Sequence, residues 1–280
     1  MDKGIPYTYD LTNAEIIDQF EKLKILKFNT NRPIPKTRMG NNIIKSYFDR
    51  EQVKMKRRGR SYLDIWKNEK EQIKRAYKSL EYPMPYTPLL LRRAMEHINY
   101  ASIFKPSVAS YLIQKFKPKV AVFSPQMGWG EIMLGTIAND IDFIGIDSNK
   151  DMKPIYNKMI KTLNPYTNSS IKLIFKDSNK VDYKPLKYDM VIVSPPYEEV
   201  EKYANQPEYE DFYNDFLIPS IKKTYEGLLK GGIMAYNIPI YVYKRIVKDF
   251  KKADGKIEYP IQEIRRGYNT YKEYIYLFKK

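Results

Sequence analysis

The chain has 280 residues, of which 43% are hydrophobic and 14% aromatic, enough to bury one substantial core plus a smaller appendage. It holds no cysteine and a single histidine, His97, which excludes disulfides, thiolate zinc sites, cysteine nucleophiles, histidine-rich metal sites and most serine–histidine triads. The formal net charge is +16, and residues 31–93 carry 17 Lys/Arg against 6 Asp/Glu, a concentration that points to a polyanionic partner.

The amino terminus, Met1-Asp2-Lys3-Gly4, has no apolar signal region, and no apolar run approaches the roughly 20 residues that span a bilayer. The expectation is a soluble, cytoplasmic protein without membrane contact. Thr12 followed by Glu15 forms a capping box, with Ile16, Ile17, Phe20, Leu23 and Leu26 behind it at helical spacing. Pro33, Pro35 and Gly40 mark residues 29–40 as a loop. The basic run Lys54-Met55-Lys56-Arg57-Arg58-Gly59-Arg60 comes next, and Ser61 with Asp64 then opens a second helix carrying Leu63, Trp66, Ile73 and Tyr77. Pro83, Pro85 and Pro88 end that helix and make residues 81–88 a candidate boundary or hinge. His97 lies in an amphipathic helical stretch and reads as a packing or surface residue. The division that follows is a helical, basic region over residues 1–98 and a second unit over residues 99–280.

Beyond residue 100 the pattern alternates strands and helices, as in a parallel α/β sheet. The expected strands are 119–124, 141–147, 171–176, 188–194, 232–238, 257–265 and 272–279. Helices are expected over 106–117, 130–138, 151–163, 209–230 and 240–253. Gly231-Gly232 stops a helix before the fifth strand, and the short connection containing Gly267 and Asn269 predicts an antiparallel terminal hairpin.

The fourth strand runs into Ser194-Pro195-Pro196-Tyr197. The two prolines fix φ near −65° and remove two backbone donors, so the turn offers a hydroxyl, accepting carbonyls and an aromatic face. Such a turn can hold a planar exocyclic amine; by itself it also reads as a strand-ending proline turn.

Five parallel strands followed by a hairpin resemble the class I S-adenosylmethionine (SAM)-dependent methyltransferase fold, a Rossmann-like seven-stranded sheet whose seventh strand is antiparallel. That resemblance implies a glycine-bearing loop after the first strand, here Ser124-Pro125-Gln126-Met127-Gly128-Trp129-Gly130-Glu131. It implies an acid at the end of the second strand for the two ribose hydroxyls, here Asp147, and a second acid after the third strand near the adenine amine, here Asp177 beside Ser178. Ser124 stands where the family usually carries an acid. Phe104 and Pro106 match a Phe-x-Pro element that touches the methionine part of SAM in DNA amino-methyltransferases; the alternative is a core aromatic and a helix-start proline.

The Ser194–Tyr197 turn is similar to the (Asp/Asn/Ser)-Pro-Pro-(Tyr/Phe) motif of the same DNA amino-methyltransferases. The resemblance covers roughly residues 36–240, and residues 207–238 look like enzymes of large DNA viruses and phages, which would put the protein in host cytoplasm. It implies SAM as cofactor, DNA as partner with RNA second, and methylation of adenine N6 or cytosine N4 on a flipped base. Ser194 and the Pro195 carbonyl would take the amine protons and Tyr197 would stack on the base. Methylation of the cytosine ring carbon needs a cysteine nucleophile and is excluded. Lys54, Lys56, Arg57, Arg58 and Arg60 are the expected phosphate contacts, and no metal is expected. An acidic run (Glu198, Glu199, Glu201, Glu208, Glu210, Asp211) departs from an ordinary DNA-docking face. The other readings are an RNA amine methyltransferase, a protein-glutamine methyltransferase, and a methyltransferase-like subunit that binds nucleic acid, a partner protein or a second copy without catalysis.

Overall fold

The computed structural model describes residues 10–57, 59–79, 87–98, 103–196, 201–202, 207–260 and 272–280. The described residues begin with five helices: α1 (Asn13–Ile25), α2 (Asn41–Gln52), α3 (Tyr62–Asn68), α4 (Lys70–Lys78) and α5 (Pro88–Ile98), with the two-residue strand β1 (Lys56–Arg57) after α2. Both expected capping boxes form: Thr12 with Glu15 starts α1, and Ser61 with Asp64 starts α3. The long second helix is corrected to two, because Glu69 leaves helical geometry (φ −122°, ψ 36°) while both its carboxylate oxygens accept from Nη1 of Arg60. His97 lies on α5, and the Pro83–Pro85 stretch lies outside the described residues.

Next come α6 (Pro106–Phe116), β2 (Val122–Ser124), α7 (Glu131–Ile137), β3 (Phe143–Asp147), α8 (Lys153–Leu163), β4 (Ile171–Phe175) and β5 (Met190–Val193). The two-residue β6 (Glu201–Lys202) is followed by a π-helix (Phe212–Leu217), α9 (Ile218–Gly227), β7 (Ile233–Ile238), α10 (Ile240–Asp249), β8 (Gly255–Glu258) and β9 (Tyr274–Lys279). Seven strands form one sheet in the order β4-β3-β2-β5-β7-β9-β8. The first five pair in parallel, and β9 runs antiparallel to both β7 and β8. This is the class I methyltransferase, Rossmann-like arrangement, with the reversed last strand in place.

Alternation along the strands decides the two layers. Val122, Phe143, Met190 and Ile192 face one side with Ile275 and Leu277, and join a core shared with α1, α2, α6, α7 and α8. Phe123, Val191, Val193, Met234 and Tyr236 face the other side, under α9 and α10. Each fully buried large apolar side chain contributes about 1.5–3 kcal/mol. The amino-terminal helices are continuous with the first core from Ile16 through Met95. Within them the Arg92 guanidinium lies 2.5 Å from Asp49, both nearly inaccessible, and over the ring of Tyr62.

Several expected elements are shorter than read. β2 starts at Val122 because the N–H groups of Lys119, Val120 and Ala121 donate to the Asp189 carboxylate. The 209–230 helix begins as a π-helix and becomes α-helical at Ile218, next to Pro219, which has no N–H to continue the preceding ladder. β8 ends before Pro260, and the connection holding Gly267 and Asn269 lies outside the described residues. The two-stranded pair β1–β6 was not expected; it sets Lys56 opposite Lys202 and Arg57 opposite Glu201.

Candidate active site

Strand order places a crevice. From β2 the chain winds outward through β3 and β4, then returns to the other side through β5 and β7. The gap outside the carboxyl ends of β2 and β5 is the topological switch point where open α/β sheets bind ligands. A crevice open to solvent lies there. The ends of β2, β3, β4 and β5 each deliver residues to its wall. The β2–α7 loop gives Gly128 and Trp129, β3 ends in Asp147, Asp177 and Ser178 follow β4, and Ser194 and Pro196 follow β5.

The glycine loop is held from beneath. The buried Tyr156 hydroxyl of α8 donates to the carbonyl of Gly128 at 2.8 Å, and Glu131 Oε2 accepts the Trp129 N–H at 3.1 Å. Gly128 sits at φ +59°, a left-handed conformation that suits glycine. Gly130, at φ +86°, starts α7 and lies off the crevice wall: a Cβ there would stand 3.2 Å from Tyr156. Gln126 lines the crevice and donates to the hydroxyls of Ser178 (3.2 Å) and Ser220 (2.9 Å). Its amide oxygen is buried without a hydrogen-bond partner among the described residues.

Asp147 is the electrostatic centre. Burial pushes its pKa up to about 6, against the opposing pull of the Asn149 N–H (2.8 Å) and the Gly128 N–H. Asp177, on the crevice wall, accepts the Asn179 N–H at 3.0 Å. The Tyr209 hydroxyl is buried beside it; desolvation and the Asp177 charge raise its pKa and keep it protonated. Tyr209 stacks on Phe216 at 5.0 Å between centroids, and both rings line the crevice. The Ser194 hydroxyl makes no hydrogen bond to another described residue.

The structure therefore brings together Gly128, Asp147, Asp177, Ser178, Ser194 and Pro196. Pro195 is buried between its neighbours, and Tyr197 lies outside the described residues. Four expected cofactor residues stand off the crevice wall: Gly130, Ser124, Phe104 and Pro106. Ser124 is fully buried and its hydroxyl donates to the Gln126 carbonyl at 3.2 Å. Phe104 packs on Tyr259 at 5.5 Å, and Pro106 starts α6 under Gly40. Of the basic run, Lys54 pairs with Glu51 at 2.7 Å and Arg60 with Glu69 at 2.9 Å; Lys56 and Arg57 form β1, and Arg58 lies outside the described residues.

Sequence reasoning did not single out Gln126, Glu131, Tyr156, Tyr209 or Phe216, nor Glu51 and Met55, which bring the amino-terminal region to the crevice wall. Gln126 and Glu131 stand inside the glycine loop, and their polarity beside glycines was a usable signal. Nothing local distinguishes Glu51 or Met55. Among the described residues no cluster of three or more His, Asp or Glu could hold a metal ion, and no helix is long and apolar enough to cross a membrane.

No protein-family model matches the chain, and no curated protein matches it. Among solved structures it is similar to a putative class I SAM-dependent methyltransferase from Listeria monocytogenes, at 14% identity and TM-score 0.46, covering 96% of this chain and 87% of that one. It is similar to an rRNA methylase from Streptococcus thermophilus at 15% identity and TM-score 0.44, covering 64% of this chain and 99% of that one. TrmN from Thermus thermophilus is matched at 12% identity and TM-score 0.44 over 68% of this chain, which spans about half (53%) of that protein's length. The fold assignment rests on strand order and direction, independently of these likenesses.

Proposed function

We propose that this protein is a SAM-dependent methyltransferase that acts on the exocyclic amine of a flipped base, adenine N6 or cytosine N4, in DNA. The observation that carries this reading is one crevice lined both by Gly128, Asp147 and Asp177 and by Ser194 and Pro196. The residues fit the cofactor. Asp147, a carboxylate already biased toward receiving hydrogen bonds by its poor solvation, suits the ribose hydroxyls. Asp177 suits the adenine amine. When bound, SAM supplies an electrophilic methyl group.

The remaining work falls to the protein. An exocyclic amine is a weak nucleophile because its lone pair is delocalised into the ring. Hydrogen bonds from its two protons to the Ser194 hydroxyl and the Pro195 carbonyl favour a pyramidal nitrogen with the lone pair aimed along the crevice. Because the prolines lack N–H groups, no backbone donor competes for that position. The stacked Tyr209–Phe216 pair supplies an apolar wall for the extruded base. Acceleration then comes from positioning and electrostatics, without a covalent intermediate.

Calorimetry with SAM, followed by base-resolved mass spectrometry after incubation with DNA and with RNA, tests the reading. SAM binding and a methylated amine in DNA support it. A product in RNA alone moves the substrate to RNA, and absence of SAM binding leaves a nucleic-acid-binding subunit without catalysis.

A further inference from the structure

Helix α10 begins at Ile240, two residues after β7 ends at the sheet's carboxyl edge, the same edge as the crevice. Its inner face is apolar: Val242 and Ile246 are buried against the sheet. The outer face presents Tyr241, Lys244, Arg245 and Lys248 at i, i+3, i+4 and i+7, one stripe about 10 Å long. These four line a shallow surface groove with Asn214 and Asp249. Tyr241, 49% exposed, lies beside Ile240, 42% exposed, at the end of the stripe nearest the rim.

The groove and the crevice share one element. Asn214 belongs to the π-helix Phe212–Leu217, and Phe216 of that helix lines the crevice. Arg245 is fixed in place over the Tyr213 ring (4.3 Å) and 3.8 Å from Asp211. Lys244 and Lys248 have no ion-pair partner among the described residues. The contrast with the Lys54–Arg60 run, where Lys54 and Arg60 are bound to Glu51 and Glu69, is one of commitment. A basic track with an aromatic platform at one end is the arrangement that follows a phosphodiester backbone and stacks a base without reading sequence.

We infer that the α10 stripe carries the backbone of the nucleic-acid strand whose base enters the crevice, with Lys244 and Lys248 on phosphates and Tyr241 against a flanking base. This rests on the function proposed above. The test uses the full chain and fluorescently labelled oligonucleotides, single-stranded DNA, duplex DNA and single-stranded RNA, titrated from low to high salt. A double variant, Lys244→Ala with Lys248→Ala, is compared with Lys158→Ala with Lys161→Ala, which removes the same charge from the exposed face of α8. Each lost phosphate contact lowers the slope of log K against log salt by about 0.7–0.9, so the α10 pair should flatten it by about 1.4–1.8 and the α8 pair should leave it unchanged. Tyr241→Ala should weaken binding at every salt concentration without altering the slope. Equal slopes for the α10 pair and the wild type, or equal losses for the two pairs, would overturn the inference. If the wild-type chain binds none of the three probes, the inference and the nucleic-acid substrate fall together. SAM calorimetry on the same preparations is independent: its failure removes the methyltransferase reading while leaving a slope change at α10 intact.

Discussion

The two halves of the crevice are built in opposite ways. On the donor side nearly every polar group is engaged within the protein: Tyr156 holds the Gly128 carbonyl, Glu131 the Trp129 N–H, Asn149 caps Asp147, and Asn179 caps Asp177. On the acceptor side the two prolines remove backbone donors, and the Ser194 hydroxyl makes no hydrogen bond to another described residue. A rigid, internally bonded half suits a ligand of constant shape, bound in every cycle. A half with unmet acceptors suits a group that must be captured and reoriented, because each hydrogen bond it forms there replaces none within the protein.

The largest expected effect breaks the acceptor side alone. Ser194→Ala removes an acceptor needed only when the amine is aligned, so single-turnover methyl transfer should fall about 10²-fold or more. The SAM dissociation constant, measured by calorimetry, should stay within twofold. Full activity in this variant would sink the proposed chemistry.

Asp147→Asn breaks the donor side and should weaken SAM binding by about 10–100-fold, the loss expected for hydrogen bonds to a charged group. The same substitution has a second, opposite readout. A carboxyl whose pKa rises from its ordinary value to about 6 on folding binds its proton more tightly in the native state, so stability is lost as pH climbs through that window. Thermal melts from pH 4 to pH 7 should show Asp147→Asn gaining stability relative to the wild type as pH rises. SAM affinity of the wild type should fall below pH 6 as the carboxyl protonates.

Smaller effects test how far the donor half is pre-built. Tyr156→Phe removes one neutral hydrogen bond under the glycine loop, costing about 1 kcal/mol, and should weaken SAM about fivefold while leaving methyl transfer in the saturated complex unchanged. The smallest change is expected where the sequence concentrated its charge. Lys54→Ala with Arg60→Ala breaks two surface ion pairs and should alter stability by less than about 1 kcal/mol, with little change in the salt slope of oligonucleotide binding. A steep loss of that slope would instead return the phosphate track to the amino-terminal run.

Much of this architecture was legible locally. The Thr12–Glu15 and Ser61–Asp64 boxes announce their helices because a cap and its partner lie within one turn. β5 reads as a strand from Met190-Val191-Ile192-Val193, all buried. Asp147, Asp177 and Ser194 could be placed because each directly follows a run of that kind. α2 went unread although Ile43, Ile44, Tyr47 and Phe48 form its buried stripe, since the surrounding basic residues drew the attention of any charge-based reading. The surroundings of Phe104 and Pro106 were not legible, for a different reason. A spacing motif cannot say which way a ring turns, and here Tyr259, more than 150 positions away, holds Phe104 in the core.

By itself the sequence determined the order and type of the sheet's elements, the acids at their ends and the proline turn after β5, because periodicity and turn chemistry act over a few residues. Tertiary structure alone decided that Ser124 turns inward, that Tyr209 and Phe216 join the crevice wall, and that Asp147 is poised near pH 6. It also decided which cations are committed: Arg60 to Glu69, while Lys244 and Lys248 stand along α10. Burial and ion pairing depend on what the rest of the chain brings alongside, and no local window contains that partner.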